Sequence, residues 1–195
     1  MRITQIPMEI ASLQDLLSFL NQQDMKSFRG EGVSEYFAKT QFDDEQFLPY
    51  IFFREETYAR NLVAKNEFYE LILITWLPGQ RTPIHDHSGS RCWTSILTGE
   101  LAFKNYQLTA SGGVRPLGSV EKQATGNFSY IDDDIALHSI ANASSKPAVS
   151  IHLYAEPITS CKIYDESKKK LVWKELHYFT QYGEEWGEEV IREME

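Results

Sequence analysis

The chain has 195 residues, of which 42% are apolar and 13% aromatic, and 19 basic against 28 acidic side chains give a net charge of −9. This size suits one compact domain with a helical appendage, and the aromatic content argues against disorder. No basic run exceeds Lys168-Lys169-Lys170, the longest apolar stretch (about residues 71–77) is far short of the ~20 residues of a spanning helix, and two cysteines make no disulfide scaffold, so nucleic acid, membrane and oxidising surroundings are all disfavoured. The first ten residues lack a secretory h-region, and a cytoplasmic protein is expected. A single domain over 1–195 is expected, with a helical segment (1–50), a β core (51–165) and a C-terminal strand and acidic tail (166–195).

In the first zone, Ile10, Leu13, Leu16, Leu17 and Leu20 repeat with a helical period, and Ser12 or Asp15 stands near the start. A second helix is expected over Val33–Gln41 and a shorter one around Asp44–Leu48, with Pro49 as the boundary. From Ile51 the period changes. Short β-rich runs (YARNLV, FYELILITWL, CWTSILTGELAFKNYQL, GNFSYI, LHSIAN and AVSIHLYA) alternate with Gly-, Pro- and Ser-rich turns, which argues for an antiparallel sandwich or barrel. In the last zone KLVWKELHYF reads as a further strand, and GEEWGEEVIREME as a short helix or tail.

The chemistry concentrates on histidines. His85 and His87 flank Asp86, and in a strand residues i and i+2 face one way, so both imidazoles can meet one ion. Gly79-x5-His85-x-His87-x4-Cys92-x6-Gly99 resembles the first cupin motif with cysteine in place of its glutamate. Gly126, His138 and Asn142 loosely resemble the second, with Asp132-Asp133-Asp134 where proline and glycine are usual. A jelly roll brings such distant strands together, and three imidazoles leave open positions on zinc, iron, nickel or copper. Ser150-x-His152-x-Tyr154 puts three polar groups on one strand face, where they can form a hydrogen-bonded relay.

Together, YARNLV, PIHDHSGSRCW, LTGEL, IDDDIALHSIANAS and AVSIHLYAEP resemble the thiol dioxygenases, specifically the cysteine dioxygenase type I family, over about residues 50–165. The resemblance implies a mainly β fold, a cupin-type double-stranded jelly-roll β-barrel with an N-terminal helical segment. It implies one Fe(II) held by His85, His87 and His138, and oxidation of L-cysteine by O2 to cysteine sulfinic acid, whose onward fate is taurine or pyruvate and sulfite. Arg60 matches the carboxylate-binding arginine, Tyr58 the aromatic beside it, and Tyr154 the hydroxyl beside the reacting atoms, with His152 holding Tyr154 and Ser150 orienting His152. Cys92 matches a cysteine that some members join to the tyrosine, here Tyr154, as a thioether. The resemblance points to a monomer. Cys161 reads as structural and His177 as an ordinary histidine. Where mammalian-type members carry Ser-Pro-Pro with a cis bond before the first proline, this chain has Ala155-Glu156-Pro157. Two alternatives stay open: a 3-mercaptopropionate or other small-thiol dioxygenase, against which Arg60 speaks, and a non-catalytic metal-binding cupin sensor, which needs no relay.

Overall fold

The computed structural model describes residues 9–185. The chain opens with β1 (Glu9–Ala11) and α1 (Leu13–Leu20). Ser12 caps α1: its hydroxyl accepts the Asp15 amide at 3.0 Å while the Asp15 carboxylate accepts the Ser12 amide, a reciprocal capping box. Leu13, Leu16 and Leu20 are buried, but Ile10 lies in β1 and is 76% exposed, so the apolar stripe starts after the cap. A helix the periodicity did not signal, α2 (Met25–Phe28), is only one turn long and is capped by Asp24. The expected second helix is α3 (Gly32–Lys39), with Thr40 and Gln41 passing into β2 (Thr40–Phe42), which pairs in parallel with β1. The third is a 3-10 turn at Asp44–Tyr50 with Pro49 inside it.

The rest is mainly β. The strands are β3 (Ala59–Lys65), β4 (Glu70–Trp76), β5 (Arg91–Thr98), β6 (Glu100–Leu108), β7 (Val114–Ala124), β8 (Phe128–Ile131), β9 (Leu137–Ala141), β10 (Ala148–Ala155), β11 (Ser160–Asp165), β12 (Lys170–Glu175), β13 (Thr180–Gln181) and β14 (Glu184–Glu185). One sheet has the order β14-β13-β3-β4-β10-β5-β8; opposite it lie β7-β6-β9 and the hairpin β11-β12. All these pairings are antiparallel except β13 with β3. This is the cupin-type double-stranded β-helix, although its sheets do not close into a continuous hydrogen-bonded ring. The segment 81–85 stitches the second layer instead, through single bridges from Arg81 to Ala141 and from His85 to both His138 and Ile163. Gly99 makes the tight β5–β6 turn at φ +83°; a Cβ there would meet Ala148 and the Pro147 carbonyl at 2.8 Å, so only glycine fits.

Sheet position explains the apolar runs. β10 lies between β4 and β5, and all eight of its residues are buried. Val149, Ile151, Leu153 and Ala155 face a core shared with Leu16, Leu20, Phe28 and Phe37 of the helices. Ser150, His152 and Tyr154 alternate with them and face the space between the sheets. A strand covered on both faces reads as a continuous apolar run, interrupted here only at inward positions. Among the longer strands, two gave no such signal. β7 is an edge strand, mostly exposed, with Pro116 and Gly118 within it, and β11 belongs to a half-exposed hairpin. The strand read in KLVWKELHYF is β12, whereas most of the acidic tail, residues 186–195, lies outside the described residues.

Candidate active site

The three histidines meet between the sheets, but not as a strand presents them. His85 is a single bridge residue and His87 lies in the following loop. His85 and His138 exchange backbone hydrogen bonds of 2.9 and 3.0 Å, which fixes the loop against β9. Asp133 then ties down the turn: its carboxylate accepts the His87 amide at 2.6 Å and the Gly89 amide at 2.7 Å. Asp86, between the histidines, is turned away and accepts the Lys162 amide of β11 at 2.7 Å. The aspartates at 132–134, noted as a departure from the second cupin motif, thus include the group that shapes the first.

One nitrogen from each of His85, His87 and His138 lies within 4.8 Å of the others. The Nε2 atoms of His85 and His138 are 3.2 Å apart, near the ~3 Å expected of two ligands 2.0–2.1 Å from one ion at right angles. The His85 Nδ1–H donates to the Pro83 carbonyl at 3.0 Å, which leaves Nε2 with its lone pair. Neither ring nitrogen of His87 has a partner although the residue is 1% exposed. Burial lowers the pKa of all three, aided for His87 and His138 by the neighbouring histidines, so the rings are neutral donors. Neutral, converging imidazoles, one of them without any hydrogen-bond partner, fit a divalent transition metal.

A small cavity opens beside them, lined also by Tyr58, Arg60, His152 and Tyr154 and walled by Ile74, Ile140, Ile158 and Leu176. Arg60 comes from β3, is 8% exposed, and donates from Nη2 to Glu70 Oε1 at 3.0 Å, while its Nε has no partner. Its guanidinium carbon lies 5.6 Å from the Tyr154 ring centre and 5.8 Å from that of Tyr178. Burial disfavours its charge, and the surrounding Tyr154 and Glu70 more than offset this, so Arg60 stays a cation. Tyr58 stacks on Trp76, with ring centres 5.1 Å apart.

Behind the cavity runs a buried chain. The Trp76 indole N–H donates to Ser150 Oγ at 2.9 Å, which leaves the Ser150 hydroxyl to donate to His152 Nε2 at 2.8 Å. His152 Nδ1 then faces Thr94 Oγ1 at 3.3 Å and the Cys92 sulfur at 3.9 Å. Burial, and next the charge of Arg60, lower the His152 pKa to about 3. The expected serine–histidine contact is present. The expected hold of His152 on Tyr154 is different in kind: the rings lie nearly parallel, 6.2 Å apart, because both histidine nitrogens are directed to Ser150 and Thr94. Cys92 stands directly opposite Tyr154 in the β5–β10 ladder, and burial pushes its thiol up to about 12. Burial also raises the Tyr154 hydroxyl well above its ordinary value.

Other positions divide. Ser150 and Cys92 lie behind the cavity wall, and Asn142 braces backbone carbonyls of Trp76 and Lys146. Cys161, read as structural, is buried in the cavity wall itself, and His177 is exposed. The Ala155–Glu156 peptide is cis although no proline follows the bond. The motifs gave no notice of Glu70, Asp133, Thr94, Trp76 or Tyr178. For Glu70 a signal existed: a lone carboxylate heading the wholly apolar run LILI.

Comparison with known proteins agrees with this geometry. The sequence profile described as cysteine dioxygenase type I matches residues 4–167. Cysteine dioxygenase type 1 of Danio rerio is 30% identical over 183 residues, covering 91% of this chain and 90% of that one. The Homo sapiens protein of the same name is 31% identical over 163 residues, covering 80% of each. Among solved structures, a double-stranded β-helix protein from Klebsiella pneumoniae aligns with 59% of this chain and 88% of its own at a TM-score of 0.47 and 16% identity. With the profile spanning most of its length and the three histidines gathered between the sheets, the chain belongs to the cysteine dioxygenase type I family.

Proposed function

We propose that the protein oxidises L-cysteine with O2 to cysteine sulfinate at one Fe(II) held by His85, His87 and His138. One observation carries this reading: the neutral three-histidine cluster shares a cavity with a buried arginine that has an unpartnered donor. When bound, the metal supplies thiolate ligation and O2 activation. The overall change is balanced as thiolate plus O2 giving sulfinate, with both oxygen atoms on sulfur.

The chain's own residues supply position. Arg60 anchors the substrate carboxylate through guanidinium donors that Glu70 leaves free, and a guanidinium suits that ion through charge-assisted hydrogen bonds. Tyr58, held on Trp76, lines the cavity beside it. The Tyr154 hydroxyl stays protonated at neutral pH and acts as a hydrogen-bond donor at the cavity wall. Ser150 fixes the tautomer of neutral His152, and His152 packs the Tyr154 ring. The isoleucine and leucine wall excludes water and strengthens these contacts. Cys92 and Tyr154, opposite each other, form the thioether as the Cys92 S–H and a Tyr154 ring C–H are lost and O2 takes up the two electrons and two protons as hydrogen peroxide; mature protein is then lighter by two hydrogens in intact mass. The molecule works as a monomer in the cytoplasm on a small thiol.

The test compares kcat/KM for L-cysteine and 3-mercaptopropionate on Fe(II)-loaded protein. Preference for cysteine supports the reading. Preference for 3-mercaptopropionate overturns the substrate, and no O2 uptake with either thiol overturns the enzyme in favour of a metal-binding sensor.

A further inference from the structure

We propose that Glu70 is a positioning residue that sets how this site grips a substrate carboxylate, an inference that rests on the reading of Arg60 as the carboxylate anchor. Glu70 is wholly buried in the sheet, in register with Lys65 on one side and Tyr154 on the other. It does not line the cavity, so it acts through other groups. Both its oxygens are engaged: Oε1 accepts from Arg60 Nη2 at 3.0 Å and Oε2 accepts a short bond from the Tyr178 hydroxyl. Lys65 closes the outer end, with Nζ 3.8 Å from Oε2 and 3.2 Å from the Tyr178 oxygen.

These contacts remove the freedom of a long side chain. Arg60 is held at Nη2 by Glu70 and bounded by the rings of Tyr154 and Tyr178. Glu70 engages Nη2 alone among the guanidinium nitrogens, and Nε is buried without a hydrogen-bond partner. A buried acceptor pair fixed behind the cation thus determines which edge of the cation meets the substrate. The same carboxylate balances the Arg60 charge. The grip on an anionic substrate then depends on aim more than on excess positive charge.

The test measures anaerobic binding to Fe(II)-loaded protein, and turnover separately, for L-cysteine and cysteamine, which keeps the thiol and amine but lacks the carboxylate. With Glu70→Ala, the Kd and KM for cysteine rise about tenfold while kcat changes less and the Kd for cysteamine stays within about twofold. Glu70→Gln, which keeps an acceptor for Arg60, gives a smaller rise, and Tyr178→Phe moves in the same direction. In an Arg60→Ala background, Glu70→Ala has no further effect on cysteine binding. The inference is overturned if Glu70→Ala and Glu70→Gln weaken cysteine and cysteamine equally, if neither alters cysteine binding, or if the Glu70 effect persists without Arg60. Wild-type protein that binds cysteine but does not oxidise it refutes the proposed function and leaves the Glu70 test intact.

Discussion

The two faces of β10 are equally buried and chemically opposite. Outward, Val149, Ile151, Leu153 and Ala155 join the helices in an apolar core. Inward, Ser150, His152 and Tyr154 share their space with Arg60, Glu70, His87 and His138, also buried. Apolar burial on the first face supplies folding energy. Burying polar and charged groups on the second costs energy, offset by the pairings Trp76–Ser150–His152–Thr94 and Arg60–Glu70–Tyr178. What remains without a hydrogen-bond partner there is the pair of His87 ring nitrogens and the Arg60 Nε, which on the proposed function adjoin the metal and the substrate anion. One strand thus separates the core it shares with the helices from a second core, in which apolar side chains such as Ile72, Ile96 and Leu101 surround the polar groups.

That contrast can be broken from either side. The largest effect is expected from His87→Ala: kcat/KM for cysteine falls at least about a thousandfold and bound iron is lost, while the apoprotein's thermal midpoint is scarcely changed. Substantial destabilisation of the apoprotein would mean that the histidines also build the fold. On the other face, Leu153→Ala empties a fully buried site and costs ~2–5 kcal/mol in denaturant unfolding, with activity per folded molecule unchanged. A specific loss of kcat at full folding would show that the two faces are coupled. Ser150→Ala leaves His152 without its tautomer partner, and kcat falls about tenfold with little change in metal content or stability.

The smallest effect sharpens the comparison through pH. His152 titrates at about 3 when folded against an ordinary value of 6.5. The unfolded chain therefore binds the proton first, so stability is full above 6.5 and is lost as pH falls toward 3. His85, His87 and His138 are shifted in the same direction. In metal-free protein, His152→Gln makes the acid loss of stability shallower, as followed by denaturant midpoints between neutral pH and 4. An unchanged slope would remove His152 from that account.

The sequence carried these two faces unequally. The outward face was legible because β4, β5 and β10 keep their apolar residues even where they alternate with polar ones, and the capping box of α1 lies within four residues. The gathering of the three histidines was legible through spacing and family likeness, although a strand was the wrong reason for His85 and His87: hydrogen bonds to His138 and Asp133, about fifty residues away, hold them. The second layer of support was not legible. Glu70 to Tyr178 spans 108 residues and Trp76 to Ser150 spans 74, and no local pattern states a contact that only folding creates. Edge strand β7 escaped for a simpler reason: half-solvated and carrying Pro116 and Gly118, it has no alternation to read.

The central claim is that the inward face of this sheet performs dioxygenation of a thiol. Fe(II)-loaded protein prepared without oxygen, mixed with L-cysteine and then with 18O-labelled O2, tests it most directly. The account predicts oxygen uptake matched by cysteine sulfinate, with both sulfinate oxygens labelled. Absence of sulfinate, or product carrying an oxygen from water, would contradict it.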